Sequence, residues 1–252
     1  MNLPKIVSFA NMGYLDFAKN LIMSFILNAN NLYFDFYCLD TEIFDSLKIF
    51  LSENTNINLI LFDSPTSKKL ENYGGKEYNK IMGTKTRVIL DSLTKNNLIH
   101  FVDSDIVFLK PIGPEYYQEY SEYDMVFQQD CSTLEPFALW SCAGNVLIKN
   151  TPESKLLLNV VIDYQSKYPN KNDQECMYQY FLDLGIKNIL EYPQAKLYSF
   201  PKHEFLNGHN IHDNKHLFDK IITFHANYVV GKHDKIKLLK LCLLYTSPSP
   251  RD

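Results

Sequence analysis

Apolar residues along the first part of the chain alternate between two spacings, which predicts a regular succession of strands and helices. Nearly continuous apolar runs over 5–10, 34–39 and 57–62 are typical of buried strands. Between them, apolar residues recur every three to four positions over 14–29 and 42–52, as on one face of a helix. This β-α-β-α-β order predicts parallel strands joined by right-handed crossovers, the arrangement of a nucleotide-binding half.

Beyond this half the pattern becomes mixed. A polar stretch with two adjacent glycines, 68–83, predicts a mobile loop, and 84–94 predicts a helix that leads into an apolar strand over 98–102. Further strands are expected over 124–128, 145–149 and 221–224, and further helices over 153–167, 173–184 and 235–240. The expected fold class is α/β, with a mixed, mostly parallel sheet flanked by helices.

Composition and charge narrow the class of protein. The 252 residues include 46% hydrophobic and 21% charged residues with a net charge of −4, as in an ordinary globular protein that does not bind nucleic acid. The sequence has no apolar stretch long enough to span a bilayer, and its first strand begins too early to leave room for a signal peptide. No two cysteines form a C-x-x-C pair, so a cytoplasmic protein with reduced thiols is expected.

The last residues, 242–252, do not resemble evolved protein sequence. From Cys242 onward they back-translate, in a single frame, to a transposase-type sequencing adapter. We therefore expect 242–252 to be read-through, and 1–241 to be a single domain that continues in the natural protein with residues absent here. A genomic sequence that matches through Asp252 would contradict this expectation.

Two carboxylates follow the apolar strand over 98–102. Asp103 and Asp105 have one residue between them, and side chains two apart on an extended chain project to the same side. Such carboxylates repel each other unless a hard divalent cation lies between them, and ligands bind at the carboxyl ends of strands in α/β sheets. We interpret the pair as a metal site for a diphosphate; a plain turn stabilised by Asp side chains is the alternative.

Glycine and lysine residues near the end of the chain suit a phosphate. Gly231, Lys232 and Lys235 lie at the start of the predicted helix 235–240, with Asp234 as its expected N-cap. A glycine, a helix N-terminus and lysines together favour an anion, whereas a solvated basic helix face is the alternative.

Several motifs occur in the order and spacing of a known family. They are Lys85-Thr-Arg87, Phe101-Val-Asp-Ser-Asp-Ile-Val107, Cys142-Ala-Gly-Asn145, Asn172-Asp-Gln174 and His225-Ala-Asn-Tyr-Val-Val-Gly231. Together they resemble the nucleotide-diphospho-sugar transferases, glycosyltransferases of the Rossmann-like GT-A fold, over nearly all of 1–241. Ala10-Asn11 and Tyr14 also look like the glycogenin and bacterial galactosyltransferase group. The resemblance implies transfer of a hexosyl or pentosyl group, with retention, from a UDP-sugar to a carbohydrate, protein or lipid hydroxyl.

The resemblance also implies which residues bind the metal and the donor. Asp103, Asp105 and His225 would hold Mn²⁺, or Mg²⁺, and a mixed carboxylate and imidazole set suits manganese; a strand-end histidine with a satisfied hydrogen bond is the alternative for His225. The donor-binding candidates are Ala10, Asn11, Tyr14, Lys85, Arg87, Ser104, Gly144, Gly231, Lys232 and Lys235. Because residues two apart on a helix diverge in direction, we favour Lys85 over Arg87.

By the same resemblance, residues near the start of helix 173–184 would contact the transferred sugar and the acceptor. These candidate catalytic residues are Asp173, Gln174 and Asn145, with Gln128 and Asp130 as weaker candidates. Asn172 and Glu175 also predict a capping box for this helix, which is compatible with a ligand at the helix N-terminus.

Two other functions remain compatible with the sequence. The motif that begins at Asp103 also fits the D-x-D-x-[TV] pattern of aspartyl-phosphate hydrolases, in which Asp103 would be the nucleophile. In those enzymes the motif follows the first strand, whereas here three predicted strands precede it. The second alternative is a module that binds a sugar nucleotide without turnover.

Overall fold

The strands and helices of the first half follow the predicted order. The computed structural model describes residues 3–51, 56–62, 64, 66–71, 73–130, 137–209 and 219–246, with the backbone alone for 241–246. The strands are β1 Lys5–Ala10, β2 Tyr33–Cys38, β3 Ile57–Leu61, β4 Leu98–Val102, β5 Ile106–Phe108, β6 Met125–Gln129, β7 Ser141–Lys149, β8 Leu197–Ser199, β9 Phe205–Asn207 and β10 Thr223–His225. The helices are α1 Leu15–Asn28, α2 Thr41–Leu51, α3 Lys76–Lys95, α4 Pro152–Lys167, α5 Asp173–Asp183 and α6 Lys232–Thr246.

Seven strands form a large mixed sheet in the order β3-β2-β1-β4-β7-β6-β8. The first four strands of this order are mutually parallel, and β7 is antiparallel to both of its neighbours. The expected mostly parallel sheet flanked by helices is therefore confirmed. The strand order reverses between β1 and β4, so their carboxyl ends form the crevice in which α/β sheets bind ligands.

A smaller sheet, in the order β5-β10-β9, lies beyond the carboxyl end of β4. Strand β5 begins directly after the Asp103–Asp105 turn and pairs antiparallel with β10, so that His225 lies opposite Ile106. The backbone N–H of Ala226 also donates to the carbonyl of Asp105 at 3.1 Å. This pairing brings the end of β10 to the same crevice as the end of β4.

The helices bury the two faces of the large sheet. Apolar side chains of α1 and α2 pack against one face, and those of α3, α4 and α5 pack against the other. Strand β1 is buried at five of its six positions, as its continuous apolar run predicted. Among the helices that the structure describes, none combines the length and the apolar character that crossing a membrane requires.

Two predicted helix starts are wrong. Helix α3 begins at Lys76, so that 76–83, predicted as part of a loop, is helical, with Ile81 and Met82 buried among polar neighbours that obscured the helical spacing. Helix α6 begins at Lys232, and Asp234 lies within its first turn and is not the N-cap. The predicted capping box of α5 is confirmed: Asn172 Oδ1 accepts from the Glu175 N–H at 2.9 Å, and the Glu175 carboxylate accepts from the Asn172 N–H at 2.8 Å.

A buried polar chain joins the two sheets. His100 on β4 is fully buried, with Nδ1 at 2.9 Å from Tyr117 Oη and Nε2 at 2.6 Å from Asn145 Oδ1. The Asn145 amide in turn donates to Thr223 Oγ1 on β10 at 3.1 Å. Burial lowers the pKa of His100 to about 4, although the hydrogen bond to Asn145 opposes this effect.

We expect the His100 imidazole to make the free energy of unfolding depend on pH. The unfolded chain takes up a proton on His100 near pH 6.5, whereas the folded chain does so only near pH 4. The stabilisation is therefore complete above pH 6.5 and falls by on the order of 3 kcal/mol as the pH drops to 4. Urea unfolding across this range should show a smaller drop for His100→Gln than for the wild type. The exposed His203→Gln variant serves as the control, and an unchanged drop in His100→Gln would contradict the expectation.

Candidate active site

A cavity of about 440 Å³ opens at the carboxyl ends of β1 and β4. Its wall also includes the start of α5, the end of β10 and the first turn of α6. Most of the candidate residues from the sequence line it: Ala10, Asn11, Tyr14, Lys85, Asp103, Ser104, Asp105, Asp130, Gly144, Asp173, Gln174, His225, Gly231 and Lys235. The crevice at which the strand order reverses is therefore a cavity lined by polar and charged groups.

Three candidates are not among the residues that line the cavity. Asn145 is fully buried and its side chain bonds to His100 and Thr223, on the other face of β7 from Gly144. Arg87 is exposed, two positions from the buried Lys85, as expected of divergent positions on α3. Lys232 is paired with Asp16 at 2.6 Å on the surface. The weaker candidate Gln128 is also buried away from the cavity lining and donates to the Phe205 carbonyl at 3.3 Å.

The structure brings Asp103, Asp105 and His225 together. One ligand atom from each lies within 4.8 Å of the others. His225 Nε2 is 3.2 Å from Asp105 Oδ1 and 3.8 Å from Asp103 Oδ2, so this nitrogen faces the carboxylates. Two carboxylates and one imidazole form a donor set that suits Mn²⁺ and accommodates Mg²⁺ less readily.

Gly144 leaves room for an ion beside these groups. A Cβ at this position would overlap Asp103 Oδ2 and lie 2.7 Å from Cε1 of His225. The Gly144 carbonyl also accepts from the Asp103 N–H at 2.7 Å, which fixes the turn after β4 against β7. The residues present therefore fit a divalent cation, because the ligands converge and no side chain of β7 fills the space between them.

Lys85 lies beneath the proposed metal ligands and links them to α5. Its Nζ is 2.7 Å from Asp173 Oδ2 and 3.6 Å from Asp103 Oδ1, and the side chain is 4% exposed. Burial lowers the pKa of Lys85, but the Asp103 and Asp173 carboxylates together raise it by a larger amount, so the net pKa lies above the usual range. The buried ammonium therefore stays charged and compensates two carboxylates.

Lys235, on the first turn of α6, forms an ion pair with Asp105 Oδ2. Burial raises the pKa of Asp105, but Lys235 and His225 lower it by more, and the net value lies well below the usual range. Gly231, the residue directly before α6, has a φ of 98°, in the left-handed region that favours glycine. This turn directs the N-terminus of α6 and the Lys235 ammonium toward the cavity, where both favour a negatively charged group.

Asp130 is the centre of a hydrogen-bond network at another side of the cavity. Its carboxylate accepts from Gln174 Nε2 and from Asn227 Nδ2, each at 2.6 Å. Gln174 also accepts from the Ala143 N–H at 3.2 Å. Burial raises the pKa of Asp130. The two amides, His225 and the Trp140 side chain lower it by a smaller amount, so the net pKa is raised. The network holds the first turn of α5 against the end of β10.

Asn11 and Tyr14, which follow β1, contact the segment 66–71. Asn11 Nδ2 donates to the carbonyls of Ser67 and Lys69, the latter at 3.1 Å, and Tyr14 Oη lies 3.4 Å from the Glu71 carbonyl. The Asn11 Oδ1 atom is buried and has no hydrogen-bond partner among the described residues. A ligand with an N–H or O–H group in this part of the cavity would satisfy that oxygen.

Sequence reasoning missed several residues of the cavity wall. Tyr73 and Tyr78, which lie within the predicted loop 68–83, line the cavity, and so do Trp140, Cys142 and Asn227. Cys142 and Asn227 lie inside motifs that carry the family resemblance, and these motifs could have identified them as cavity residues. Tyr73, Tyr78 and Trp140 had no such signal, because they lie outside those motifs and an aromatic residue is compatible with either core or surface.

Comparison with known proteins extends these observations. A sequence profile of the nucleotide-diphospho-sugar transferase family matches residues 35–239. The chain is 24% identical to the UDP-galactose:fucoside alpha-3-galactosyltransferase of Dictyostelium discoideum, over 92% of the chain and 41% of that protein. It therefore spans about two fifths of the length of this curated relative.

Solved glycosyltransferases share the fold. The galactosyltransferase LgtC, in complex with donor and acceptor sugar analogs, superposes with a TM-score of 0.63 at 10% identity over 98% of both chains. The glycosyltransferase GlyE of Streptococcus pneumoniae TIGR4 superposes with a TM-score of 0.61 at 15% identity, over 99% of this chain and 61% of that chain. At these identities the likeness concerns the fold alone, and it confirms the expected GT-A architecture.

Proposed function

Because the chain belongs to the nucleotide-diphospho-sugar transferase family, we propose that it transfers a sugar from a UDP-sugar to an acceptor hydroxyl with the help of a divalent cation. The observation that carries the proposal is the convergence of Asp103, Asp105 and His225 at the crevice between β1 and β4. The name of the Dictyostelium relative, a UDP-galactose-dependent enzyme acting on a fucoside, supports UDP as the nucleotide and a hexosyl group as the sugar.

The metal site and α6 would hold the diphosphate. Mn²⁺, or Mg²⁺, bound to Asp103, Asp105 and His225 would neutralise the charge that develops on the leaving diphosphate. Lys235 and the N-terminus of α6 lie beside Asp105 and would bind the same group. Ser104 and Gly231 complete this part of the cavity wall.

The two ends of the cavity would bind the nucleoside and the sugar. Ala10, Asn11 and Tyr14 line the nucleoside end, where the unpaired Asn11 Oδ1 would accept a hydrogen bond from an N–H or O–H group of the base or the ribose. Asp173 and Gln174 line the sugar end, with Gly144 beside them. Asp173 would accept hydrogen bonds from sugar hydroxyls. Burial raises the pKa of its carboxyl, and the Lys85 ammonium opposes this effect and holds the group in place.

We propose retention of the anomeric configuration, in which stabilisation of the leaving group contributes more than a dedicated base. A cytoplasmic location, and the assignment of 242–252 to read-through, remain predictions from the sequence. The hydrolase alternative is not favoured, because Asp103 follows the fourth strand of the sheet and the family match covers it.

Thermal unfolding of the full chain with Mn²⁺ and either UDP or GDP tests the proposal. We expect UDP with Mn²⁺ to raise the melting temperature by about 5–10 °C at a hundredfold excess over Kd. UDP without metal, and Mn²⁺ with UDP added to Asp105→Asn, should give much smaller shifts. If GDP with Mn²⁺ raises the melting temperature and UDP with Mn²⁺ does not, the donor nucleotide is GDP and not UDP. No shift with either nucleotide would contradict the proposed donor site. Release of UDP from a UDP-sugar separates a transferase from a module that only binds.

A further inference from the structure

One buried side chain in the cavity, the Cys142 thiol, has no part in the proposed transfer but contacts a proposed metal ligand. Cys142 lies in β7 and is 1% exposed, and its Sγ is 3.4 Å from Nδ1 of His225. The opposite ring nitrogen, Nε2, faces the carboxylates of Asp103 and Asp105. The imidazole is thus held between the thiol at one edge and the metal-site carboxylates at the other.

We propose that Cys142 is a positioning residue, which accepts a hydrogen bond from the Nδ1–H of His225 and so directs Nε2 toward the divalent cation. A neutral histidine that ligates through Nε2 carries its proton on Nδ1. A hydrogen-bond acceptor for that proton fixes the tautomer and the ring orientation and increases the basicity of the ligating nitrogen.

The surroundings of Cys142 keep its sulfur in an accepting role. The Gly144 N–H donates to Sγ at 3.3 Å, so the sulfur already accepts one backbone hydrogen bond, and His225 Nδ1 lies 3.4 Å from the same atom.

Measurement of metal affinity tests this role, which rests on the metal site of the proposed function. Free Mn²⁺ is followed by electron paramagnetic resonance during titration of the full chain, with and without UDP. We expect Cys142→Ala to weaken Mn²⁺ binding by about 10–100-fold, because the outer partner of a ligating histidine is lost. Cys142→Ser keeps an acceptor at the same position and should restore most of the affinity. The control is Cys38→Ala, which removes an equally buried thiol from β2.

The outcomes separate this inference from the proposed function. If the wild type binds no Mn²⁺, the proposed metal site fails and the role of Cys142 fails with it. If the wild type binds Mn²⁺ and Cys142→Ala binds it equally well, only the role of Cys142 is overturned. Equal weakening in Cys142→Ala and Cys142→Ser would also overturn it, since the sulfur would then only fill space.

A measurement on the wild type decides the matter if Cys142→Ala does not fold, as judged by circular dichroism. In metal-free buffer, ¹⁵N spectra of the imidazoles report which nitrogen of His225 carries the proton before any cation binds, and His225→Asn identifies its signals. A proton on Nδ1 supports the proposal, and a proton on Nε2 overturns it.

Discussion

Asp105→Asn should lower kcat/KM for the UDP-sugar by about three orders of magnitude. The substitution removes one of the two carboxylates that face His225, and so one of the two anionic ligands that would hold the cation. A bound cation contributes several kcal/mol to stabilisation of a developing negative charge, and each factor of ten corresponds to about 1.4 kcal/mol. Release of UDP from UDP-galactose, the donor named for the curated relative, provides the first assay.

A matched control separates loss of the metal from loss of any acidic residue near α6. Asp16→Asn removes the carboxylate that pairs with Lys232 on the surface and should leave kcat/KM nearly unchanged. Treatment of the wild type with EDTA should reproduce the Asp105→Asn defect. Wild-type kcat/KM in Asp105→Asn would show that the carboxylate pair does not hold a catalytic ion.

Lys85→Met should lower the free energy of unfolding by about 3–5 kcal/mol in metal-free buffer, because it leaves a buried charge without its partner. The Lys85 ammonium lies 2.7 Å from Asp173 Oδ2 and 3.6 Å from Asp103 Oδ1. Methionine preserves most of the apolar stem, so the loss would arise from charge and not from a cavity. Urea unfolding with EDTA present measures the change.

Two further variants show whether the Lys85–Asp173 pair causes this loss. Arg87→Met removes an exposed cation from the same helix and should change the free energy of unfolding by no more than about 0.5 kcal/mol. Adding Asp173→Asn to Lys85→Met should recover part of the stability, since the unpaired charge is then removed. Strictly additive effects of the two substitutions would argue against the pair.

Much of the fold was predictable because the spacing of apolar residues within most strands and helices indicates which kind of element they form. The apolar runs of β1, β2 and β4 and the helical spacing of α1 and α2 reflect burial that depends on local sequence. Where polar residues interrupt that spacing, as at the start of α3, the prediction failed. Packing against neighbouring elements decides such segments, and a single sequence does not show it.

The candidate site was predictable to the extent that its residues occupy adjacent positions or known motifs. Asp103 and Asp105 were predicted to point the same way as on an extended chain, whereas the structure brings them together through a turn at 104–105. Lys85 was favoured over Arg87 from helical geometry. Alternation along β7 separates Gly144 from Asn145, but it does not say which of the two faces the cavity. Only the position of β7 between β4 and β6 decided that Gly144 lines the cavity and Asn145 bonds to His100.

The sequence by itself determined the alternating first half, the carboxylate pair after an apolar strand, and the family. Only the tertiary structure decided the contacts between residues far apart in the chain, such as Cys142 with His225 and Lys235 with Asp105, which are separated by 83 and 130 positions. The physical reason is that the sequence pattern records whether a residue is buried and on which local face. Which distant group it meets depends on strand order and on the pairing of β10 with β5.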